Sequence, residues 1–314
     1  MVFAAGRGER MRPLTDAVPK PALPVLDVPL AAFPLLPMLA AAQSVFVNSS
    51  HLSSELERRL GPLPGVRDHV TFTVETPKPL GTAGTLRALL DHLAPTVITC
   101  NGDTVSDLRP VDLLAHHRAS GAACTLAGIR VASGADIALD GSAVTGFVDR
   151  RRDPGAGGAR FIGMAAFERT ALELLPEQVP AGLGETLIAE LVSRGEAALL
   201  AHEGHALDLA GPSDLMDLSQ RVLHGAIETP VEAPGERLVA AEGRAYVGPG
   251  ADADGAHVGP EAIVLAGARV GRGATLRRCI VWEGEEVPEG GEVLDAIWFA
   301  GGAMTVSSRG PAGP

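Results

Sequence analysis

Positive charge, cysteine and aromatic side chains are all scarce in this 314-residue sequence. Lysine and arginine number 26 against 38 aspartate and glutamate residues, which gives a formal net charge of -12. Duplex nucleic acids and anionic membrane surfaces both require a basic face on the protein that binds them. We therefore expect neither partner, although a local pocket can still be positive enough to bind a small phosphate ligand.

The cysteines are too few and too far apart for a disulfide framework or a zinc site. Only Cys100, Cys124 and Cys279 occur, an odd number without metal-ligand spacing. The longest apolar stretch, residues 29–42, is interrupted by Pro34 and Pro37 and is too short to span a bilayer. No basic segment followed by an apolar one begins the sequence. These absences predict a cytoplasmic protein in a reducing compartment.

The composition is that of a globular protein, and strand and helix patterns alternate along the sequence. Hydrophobic residues make up 46% and charged residues 20%, which argues against disorder. Helical patterns at 53–60 and 82–93 alternate with strand patterns at 70–74 and 96–100. Such alternation predicts an α/β fold with a Rossmann-like, doubly wound mixed sheet. The pair His116-His117 is expected on a helix surface.

The pattern changes near residue 244, where aliphatic residues recur every six positions. Val258, Val264, Val270 and Leu276 define the period, and a slip of one residue leads on to Val281. This repeat is typical of a parallel β-helix, which we expect to be left-handed, whereas a low-complexity Gly/Ala linker is the alternative. We predict four segments: a first domain at 1–225, a linker at 226–243, the β-helix at 244–300 and a disordered tail at 301–314.

A glycine-rich loop follows the first predicted strand. It runs Ala4-Ala5-Gly6-Arg7-Gly8 and is followed by the cations Arg10 and Lys20. Glycines allow backbone N–H groups to approach phosphate oxygens, and cations neutralise the phosphate charge. A P-loop would require Gly-Lys-Ser/Thr, a dinucleotide fingerprint would require a third glycine, and both are missing here. The loop is thus a candidate phosphate-binding segment of another kind.

Residues 3–24 resemble the signature of the sugar-1-phosphate nucleotidyltransferases, which reads G-x-G-x-R-[LM]-x-P-[LM]-T followed by K-P and a further P. Later stretches resemble the family in the same order: Glu75 with residues 80–86, Asn101-Gly102-Asp103, and Asp208. The resemblance implies a Rossmann-like core, and several subfamilies also carry a hexapeptide-repeat β-helix. It implies an enzyme that transfers a nucleoside monophosphate from an NTP to a sugar 1-phosphate and releases pyrophosphate.

The resemblance also implies roles for single residues. Arg10 would stabilise the leaving pyrophosphate, Lys20 would act near the α-phosphate, and the catalytic Asp103 would hold Mg²⁺ together with Asp208. The implied nucleotide-binding residues are Ala4, Ala5, Gly6, Gly8, Glu75, Gly81, Thr82 and Gly84. The implied sugar-phosphate-binding residues are Arg150 and Gly163. Glu185 is a further sugar-phosphate-binding candidate from the residues themselves: it either reaches a sugar hydroxyl or lies in an exposed loop.

Some of these positions have a second interpretation. Arg150 stands where the family has a lysine, and an exposed basic run at 150–152 explains it equally well. His202 and His205 either line the sugar pocket or occupy an exposed loop.

The identity of the substrates is left open by the motifs. Residues 80–84 resemble the mannose-1-phosphate guanylyltransferases, which favours GTP and mannose 1-phosphate. Residues 8–15 resemble the N-acetylmuramate-1-phosphate uridylyltransferases, so uridylyl or thymidylyl transfer to N-acetylmuramate 1-phosphate or glucose 1-phosphate is the alternative. A non-catalytic regulatory subunit that binds a nucleotide sugar is a third hypothesis. The expected partners are an NTP and a sugar 1-phosphate, and self-association into a homo-oligomer is a further hypothesis.

Overall fold

The structure, a computed structural model, describes residues 1–240 and 243–306. Its strands in chain order are β1 (Val2–Phe3), β2 (Pro24–Val25), β3 (Val28–Pro29), β4 (Val45–Ser49), β5 (Val70–Val74), β6 (Thr96–Asn101), β7 (Thr104–Ser106), β8 (Cys124–Val131), β9 (Ile137–Asp140), β10 (Ala143–Phe147), β11 (Gly158–Glu168), β12 (Ala197–Ala201), β13 (Ala206–Asp208), β14 (Glu236–Ala240), β15 (Gly243–Val247), β16 (His257–Val258), β17 (Ala262–Val264), β18 (Arg269–Val270), β19 (Thr275–Arg277), β20 (Cys279–Val281), β21 (Glu286–Val287), β22 (Glu292–Leu294), β23 (Ala296–Phe299) and β24 (Gly302–Thr305).

The α-helices are α1 (Ala32–Ala41), α2 (Ser53–Leu60), α3 (Val66–His69), α4 (Gly81–Leu89), α5 (Pro110–Ser120), α6 (Arg169–Leu172), α7 (Ala189–Ser193) and α8 (Pro212–His224). Short 3₁₀ turns occupy Glu9–Met11, Leu14–Asp16, Lys20–Ala22 and Leu90–His92, and a π-helical turn occupies Gly184–Ile188. No helix in these two described ranges is long and apolar enough to cross a membrane.

The chain divides into two compact units. The first contains Met1–Arg7 and Phe33–Asp208, and the second contains Gly8–Ala32 and the chain from Leu209 onward. The glycine-rich loop is therefore divided between the two units after its Arg7. The domain boundaries expected at residues 225 and 243 stay predictions.

A mixed nine-stranded sheet is the framework of the first unit, with the order β5-β4-β1-β6-β11-β8-β12-β10-β9. The strands β5, β4, β1 and β6 run parallel to one another, and β11 is antiparallel to both β6 and β8. The α/β class and the mixed sheet are thus confirmed. Although β1 has only two residues, it lies between β4 and β6 and pairs with both.

Local sequence patterns explain most elements of this unit. Helix α2 and strand β5 have the bounds that the patterns predict. Helix α4 begins at Gly81, one residue before the predicted start, and continues into a 3₁₀ turn that ends at His92. Helix α1 contains Pro34 in its first turn, where no hydrogen bond is lost, and also Pro37, which removes one helical donor.

Apolar side chains from helices and strands form the core of the first unit. Leu86, Leu187 and Leu191 from the helical segments pack in one cluster with Leu126 of β8 and Phe167 of β11. Each of the five is at most 1% exposed. Burial of a side chain of this size contributes roughly 1.5–3 kcal/mol, so this cluster is a main source of the unit's stability.

The three cysteines are buried and free of disulfides. Burial raises the pKa of each thiol to about 12. A thiol with such a pKa is not a nucleophile near neutral pH, so Cys100, Cys124 and Cys279 act as small apolar residues.

His117 on α5 is buried, which corrects the expectation that the His116-His117 pair lies on a helix surface. Its side chain is 1% exposed. The ring atom Nδ1 lies 2.8 Å from Thr125 Oγ1 on β8, and Nε2 lies 3.2 Å from Glu168 Oε1 on β11. Both ring nitrogens are satisfied in this way, and the helix is attached to the sheet. Burial lowers the pKa of His117 and outweighs the opposite effect of Glu168.

Three parallel ladders of short strands form the C-terminal part of the second unit. They are β15-β17-β20-β23, β16-β19-β22 and β18-β21. Residues 17 positions apart in the chain pair with each other: Val264 with Val281, Val270 with Val287, and Leu276 with Val293. All six side chains belong to one buried apolar cluster. The ladders therefore share a core to which each contributes aliphatic residues.

Two segments that the sequence analysis leaves without regular structure contain strands. Strand β14 lies in the predicted linker 226–243 and pairs antiparallel with β15. Strand β24 lies in the predicted disordered tail 301–314 and pairs antiparallel with β23. Between β23 and β24, Ala300 and Gly301 both have positive φ values, 51° and 72°, as a two-residue hairpin turn requires. Residues 307–314 of the predicted tail lie outside the described residues.

The free energy of unfolding is expected to depend on pH through His117. Its pKa in the folded protein lies below the ordinary value, so near pH 6 the unfolded chain binds more protons than the folded chain. The contribution is fully present above about pH 6.5 and is lost as the pH falls through the folded pKa. The variant His117→Gln cannot be protonated there. Its stability in urea should therefore change less than that of the wild type between about pH 7.5 and about pH 5. Equal changes in the two proteins would contradict burial of a neutral imidazole.

Candidate active site

The carboxyl ends of β4, β1 and β6 meet at one edge of the first unit's sheet. Strand β1 leads into Ala4, β4 carries Asn48 near its end, and β6 ends at Asn101. Directly after β6, the N–H of Gly102 donates a hydrogen bond of 2.8 Å to the carbonyl of Phe3. Open α/β sheets bind ligands at such an edge, so a ligand site is expected here.

The buried carboxylate of Glu75 organises this edge. Glu75 is 6% exposed and accepts hydrogen bonds from Asn48 Nδ2 at 2.8 Å, Thr85 Oγ1 at 2.5 Å and the N–H of Leu80 at 2.7 Å. Asn48 Oδ1 accepts the N–H of Ala4 at 2.7 Å. The network thus joins the chain after β1, the end of β4, the segment after β5 and helix α4. The buried carboxylate is tolerated because these three donors replace the hydrogen bonds that water would provide.

Sequence reasoning selected Glu75 as a nucleotide contact and missed the residues around it. The carboxylate of Glu75 is engaged within the protein, and its contact with a nucleotide stays a prediction. Asn48 and Thr85 are both nearly inaccessible, at 3% and 2%. Asn48 had a detectable signal, because it follows the apolar residues 45–47 just as Asn101 follows the predicted strand 96–100.

The first turn of α4 carries the predicted nucleotide-binding residues Gly81, Thr82 and Gly84. Thr82 Oγ1 accepts the N–H of Leu183 at 2.9 Å. Two residues later, Glu185 lies exposed in the π-helical turn. The structure therefore brings the segment with the predicted sugar-phosphate residue Glu185 against the start of α4.

Strands β7 and β13 place the backbone segments of the two predicted metal ligands side by side. They are antiparallel, and Asp208 pairs with Thr104, the chain neighbour of Asp103. Asp103 is half-buried and Asp208 is exposed. Carboxylate oxygens are the donors that Mg²⁺ prefers, so this pair fits the implied ion. Within the described ranges, no group of three or more His, Cys, Asp or Glu side chains is placed to hold a metal ion. Two carboxylates would leave the remaining coordination positions to water or to a bound ligand.

Gly163 packs against the same turn as Asp103. It has a φ of +73° within β11, where the register with β8 shifts. A Cβ atom added at Gly163 would lie 2.7 Å from Thr104 Oγ1 and 3.0 Å from Asn101 Nδ2. Only glycine fits both the backbone conformation and the available space. This predicted sugar-phosphate residue thus lies next to the carboxylate pair.

Arg150 lies in a turn between β10 and β11 and has a carboxylate partner. It is exposed, and its Nη2 lies 3.8 Å from Asp136 Oδ2. Burial raises the pKa of Asp136 although the N–H of Phe161, at 2.6 Å, and Arg150 both act against this shift. The structure therefore does not join Arg150 to the carboxylate pair, and its predicted contact with a sugar phosphate stays a prediction.

His202 and His205 surround Asp107, which follows β7. His202 Nε2 lies 2.6 Å from Asp107 Oδ1, and the backbone N–H of His205 donates to the same oxygen at 2.8 Å. Burial acts to raise the pKa of Asp107, but the hydrogen bond with His202 and the nearby His205 outweigh it and lower this pKa. Neither of the two interpretations drawn from the sequence included this carboxylate.

The second unit contains Gly8, Arg10 and Lys20. Gly8 has a φ of +62°, and a Cβ atom added there would lie 2.8 Å from Lys20 Cβ. Thr15 Oγ1 donates to the carbonyl of Gly8 at 2.9 Å. Arg10 is exposed, whereas Lys20 is only 7% exposed. The loop is therefore a tightly folded segment in which glycine is required and a buried lysine is held.

The chain is thus an α/β protein. Its first unit carries Asp103 and Asp208 on adjoining backbone segments at the carboxyl edge of a mixed sheet, and its second unit carries the cations Arg10 and Lys20. Comparisons with known proteins agree with this class. Residues 1–136 match the family model described as nucleotidyl transferase. HddC from Yersinia pseudotuberculosis shares the fold, with a TM-score of 0.57 and 19% identity over 70% of this chain and 97% of that one.

Three curated relatives extend the comparison. A mannose-1-phosphate guanylyltransferase of Mycobacterium tuberculosis is 28% identical and covers 88% of this chain and 76% of its own length. A UTP–glucose-1-phosphate uridylyltransferase of Synechocystis sp. is 29% identical over 62% of this chain and 55% of its own. An N-acetylmuramate alpha-1-phosphate uridylyltransferase of Neisseria meningitidis is 36% identical over 34% of this chain and 48% of its own length. This chain thus spans about three quarters of the first relative and about half of the other two.

Residues 1–136 thus match the nucleotidyl transferase family, and the curated relatives are named as sugar-1-phosphate nucleotidyltransferases. The resemblance to that family found at residues 3–24 is confirmed.

The substitution Glu75→Gln should destabilise the protein. An amide would place an N–H₂ group where the carboxylate now accepts three hydrogen bonds, and a buried group without a partner costs about 1–3 kcal/mol. Urea unfolding of the full chain measures this loss. Glu190→Gln is the matched control, because Glu190 is 51% exposed and pairs only on the surface with Arg194. The control should change stability by less than about 0.5 kcal/mol. Equal effects of the two substitutions would contradict the organising role of Glu75.

Proposed function

We propose that this protein transfers a nucleoside monophosphate from an NTP to a sugar 1-phosphate and releases pyrophosphate. The observation that carries the proposal is the pairing of β7 with β13, which brings Asp208 beside the turn of Asp103 at the carboxyl edge of the sheet. The names of the three relatives support it, since each describes nucleotidyl transfer to a sugar phosphate.

In the proposed reaction, a phosphate oxygen of the sugar 1-phosphate attacks the α-phosphorus of the NTP. A new P–O bond forms, and the bond between the α-phosphorus and the oxygen that bridges to the β-phosphate breaks. All reacting groups are anionic, so the protein has to align them and offset their charge. We assign the holding of Mg²⁺ to Asp103 and Asp208. When bound there, the ion would neutralise charge on the α-phosphate and the sugar phosphate.

The glycine-rich loop and the cations that follow it are assigned to the phosphates of the NTP. The exposed guanidinium of Arg10 is suited to bidentate hydrogen bonds with the leaving pyrophosphate. The ammonium group of Lys20 supplies a point charge for the α-phosphate region. The glycines at 6 and 8 leave backbone N–H groups accessible to phosphate oxygens.

For the base and the sugar, we propose GTP and mannose 1-phosphate. The guanylyltransferase relative covers 88% of this chain, and its identity of 28% supports this assignment only weakly. Uridylyl transfer to glucose 1-phosphate or N-acetylmuramate 1-phosphate has comparable support, from 29% and 36% identity over shorter segments. Thymidylyl transfer and a non-catalytic regulatory subunit are the other hypotheses that the experiment below separates.

The three parallel ladders of the second unit are proposed to be the coils of the left-handed β-helix predicted from the six-residue period. Their common core and the regular offset between paired residues support this assignment. Self-association into a homo-oligomer and a cytoplasmic location stay predictions.

Pyrophosphate release from a grid of NTPs and sugar 1-phosphates in the presence of Mg²⁺ tests the reaction. We expect release in one pairing and a loss of about 10²- to 10³-fold in kcat for Asp103→Asn, because a charge that stabilises the transition state is removed. Asp112→Asn is the matched control, since Asp112 pairs with Arg109 on the surface of α5. Its activity should stay within about twofold of the wild type.

Each other outcome of the grid has a definite meaning. Release in a uridine or thymidine pairing would overturn the assignment of GTP and keep the reaction. If no pairing releases pyrophosphate and the protein still binds an NTP, the proposed catalytic activity is wrong and the regulatory subunit is favoured.

The concentration of Mg²⁺ that gives half-maximal activity should rise at least about tenfold in Asp208→Asn. Removal of metal by a chelator should abolish activity in the wild type, and added Mg²⁺ should restore it. An unchanged Mg²⁺ requirement in Asp208→Asn would show that Asp208 does not hold the ion.

A further inference from the structure

The hairpin of β2 and β3 has an unusual turn. Leu26 and Asp27, its two central residues, have φ values of 50° and 61°, in the left-handed region that leucine rarely adopts. Hairpins of this kind normally place Asn-Gly at such positions. Leu26 is completely buried. A strained turn of this kind persists only where its surroundings hold it in place.

The C-terminal ladders of the same unit hold this turn through the carboxylate of Asp27. Its Oδ1 accepts the backbone N–H of Ala266 at 2.9 Å, and its Oδ2 accepts the hydroxyl of Tyr246 at 2.9 Å. The same hydroxyl accepts the N–H of Gly235 at 2.9 Å. Tyr246 is completely buried, and burial together with the nearby Asp27 raises the pKa of its phenol. The hydroxyl therefore keeps its proton and remains a donor to Asp27.

The hairpin is joined by hydrogen bonds to the turn that carries Lys20. The N–H of Leu23 donates to the carbonyl of Lys20 at 3.1 Å, and the N–H of Leu30 donates to the carbonyl of Leu23 at 2.9 Å. The N–H of Ala31, just beyond β3, donates to the carbonyl of Pro21 at 2.7 Å. The backbone of Lys20 and the tip of the hairpin thus form one hydrogen-bonded segment. We therefore expect a displacement of the tip to shift the backbone of Lys20.

We propose that Asp27 is a positioning residue through which the C-terminal ladders fix the turn of Lys20, and thereby set the affinity of the enzyme for the triphosphate of its nucleotide. Tyr246 and Ala266 are the groups of the ladders that hold it. The inference rests on the proposed function, because Lys20 is assigned there to the NTP. A small misplacement of a positioning group weakens binding and catalysis strongly, so the contact matters although it lies away from the reacting atoms.

The test uses Asp27→Asn and Tyr246→Phe in the full chain, with Asp295→Asn as the matched control. Asparagine adopts the left-handed conformation as readily as aspartate, so Asp27→Asn keeps the turn and replaces one acceptor oxygen with a donor. Asp295 also has a positive φ, 50°, and its carboxylate bonds Arg278 Nε at 2.5 Å within the ladders. The control therefore makes the same chemical change at another anchored position of the same unit.

Three quantities are measured for each protein: the KM for the NTP, the KM for the sugar 1-phosphate, and the hydrogen exchange of the amides of Leu23, Leu30 and Ala31. For both Asp27→Asn and Tyr246→Phe, the KM for the NTP should rise about tenfold. The KM for the sugar 1-phosphate should stay within about twofold, and the three amides should exchange faster. Asp295→Asn should leave all three quantities unchanged. In the double variant the two effects on the KM should not add, because each substitution breaks the same contact.

Folded Asp27→Asn protein with an unchanged KM for the NTP would overturn the proposal. An equal rise in both KM values, or a similar change in Asp295→Asn, would show general destabilisation and would also overturn it. If the wild type turns over no NTP with any sugar 1-phosphate, the proposed function fails by itself. The exchange of the three amides in Asp27→Asn and Tyr246→Phe, and equilibrium binding of an NTP, would then decide whether Asp27 positions the turn of Lys20.

Discussion

A carboxylate removed from water has to receive hydrogen bonds from the protein, and much of the first unit's candidate site depends on how Glu75 meets this requirement. Its partners come from the end of β4, the segment after β5 and helix α4. Through Asn48 the network also reaches the backbone just after the central strand β1. Strand β1 has only two residues. The backbone at its carboxyl end is therefore held by the side chain of Asn48 in addition to the hydrogen bonds of the sheet. A ligand at this edge therefore meets a surface that is ordered before it binds.

The second unit has a comparable arrangement around another carboxylate. The segment from Gly8 to Ala32 is close in sequence to the first strand but belongs to the unit of the C-terminal ladders. Asp27 joins that segment to the ladders by accepting the Tyr246 hydroxyl and the N–H of Ala266. In the proposed arrangement, the position of Lys20 thus depends on residues more than two hundred positions further along the chain. This dependence gives the C-terminal ladders a part in the proposed chemistry without a site of their own.

The acidic composition and the anionic substrates of the proposed reaction are compatible because the relevant charge is local. The net charge of -12 excludes an extended basic face. It leaves room for a few cations, such as Arg10 and Lys20, and for a divalent ion between two carboxylates. Transfer between phosphates needs alignment and charge compensation more than covalent participation by the protein. The order of the motifs therefore indicates the reaction class, whereas the base and the sugar depend on the shape of the pocket.

Periodicity and motif order were sufficient for helix α2, strand β5 and the family resemblance. The residues of these two elements interact within a few positions, and the family motifs are short stretches of sequence. The partners of Glu75 and Asp27, the burial of His117 and the strand β24 do not follow in this way. Each depends on groups that are far apart in the chain, such as Asn48 with Glu75 or Asp27 with Tyr246. Their meeting is decided by sheet order and ladder register, and a polar residue shows no local mark of which distant donor will reach it once the backbone is folded.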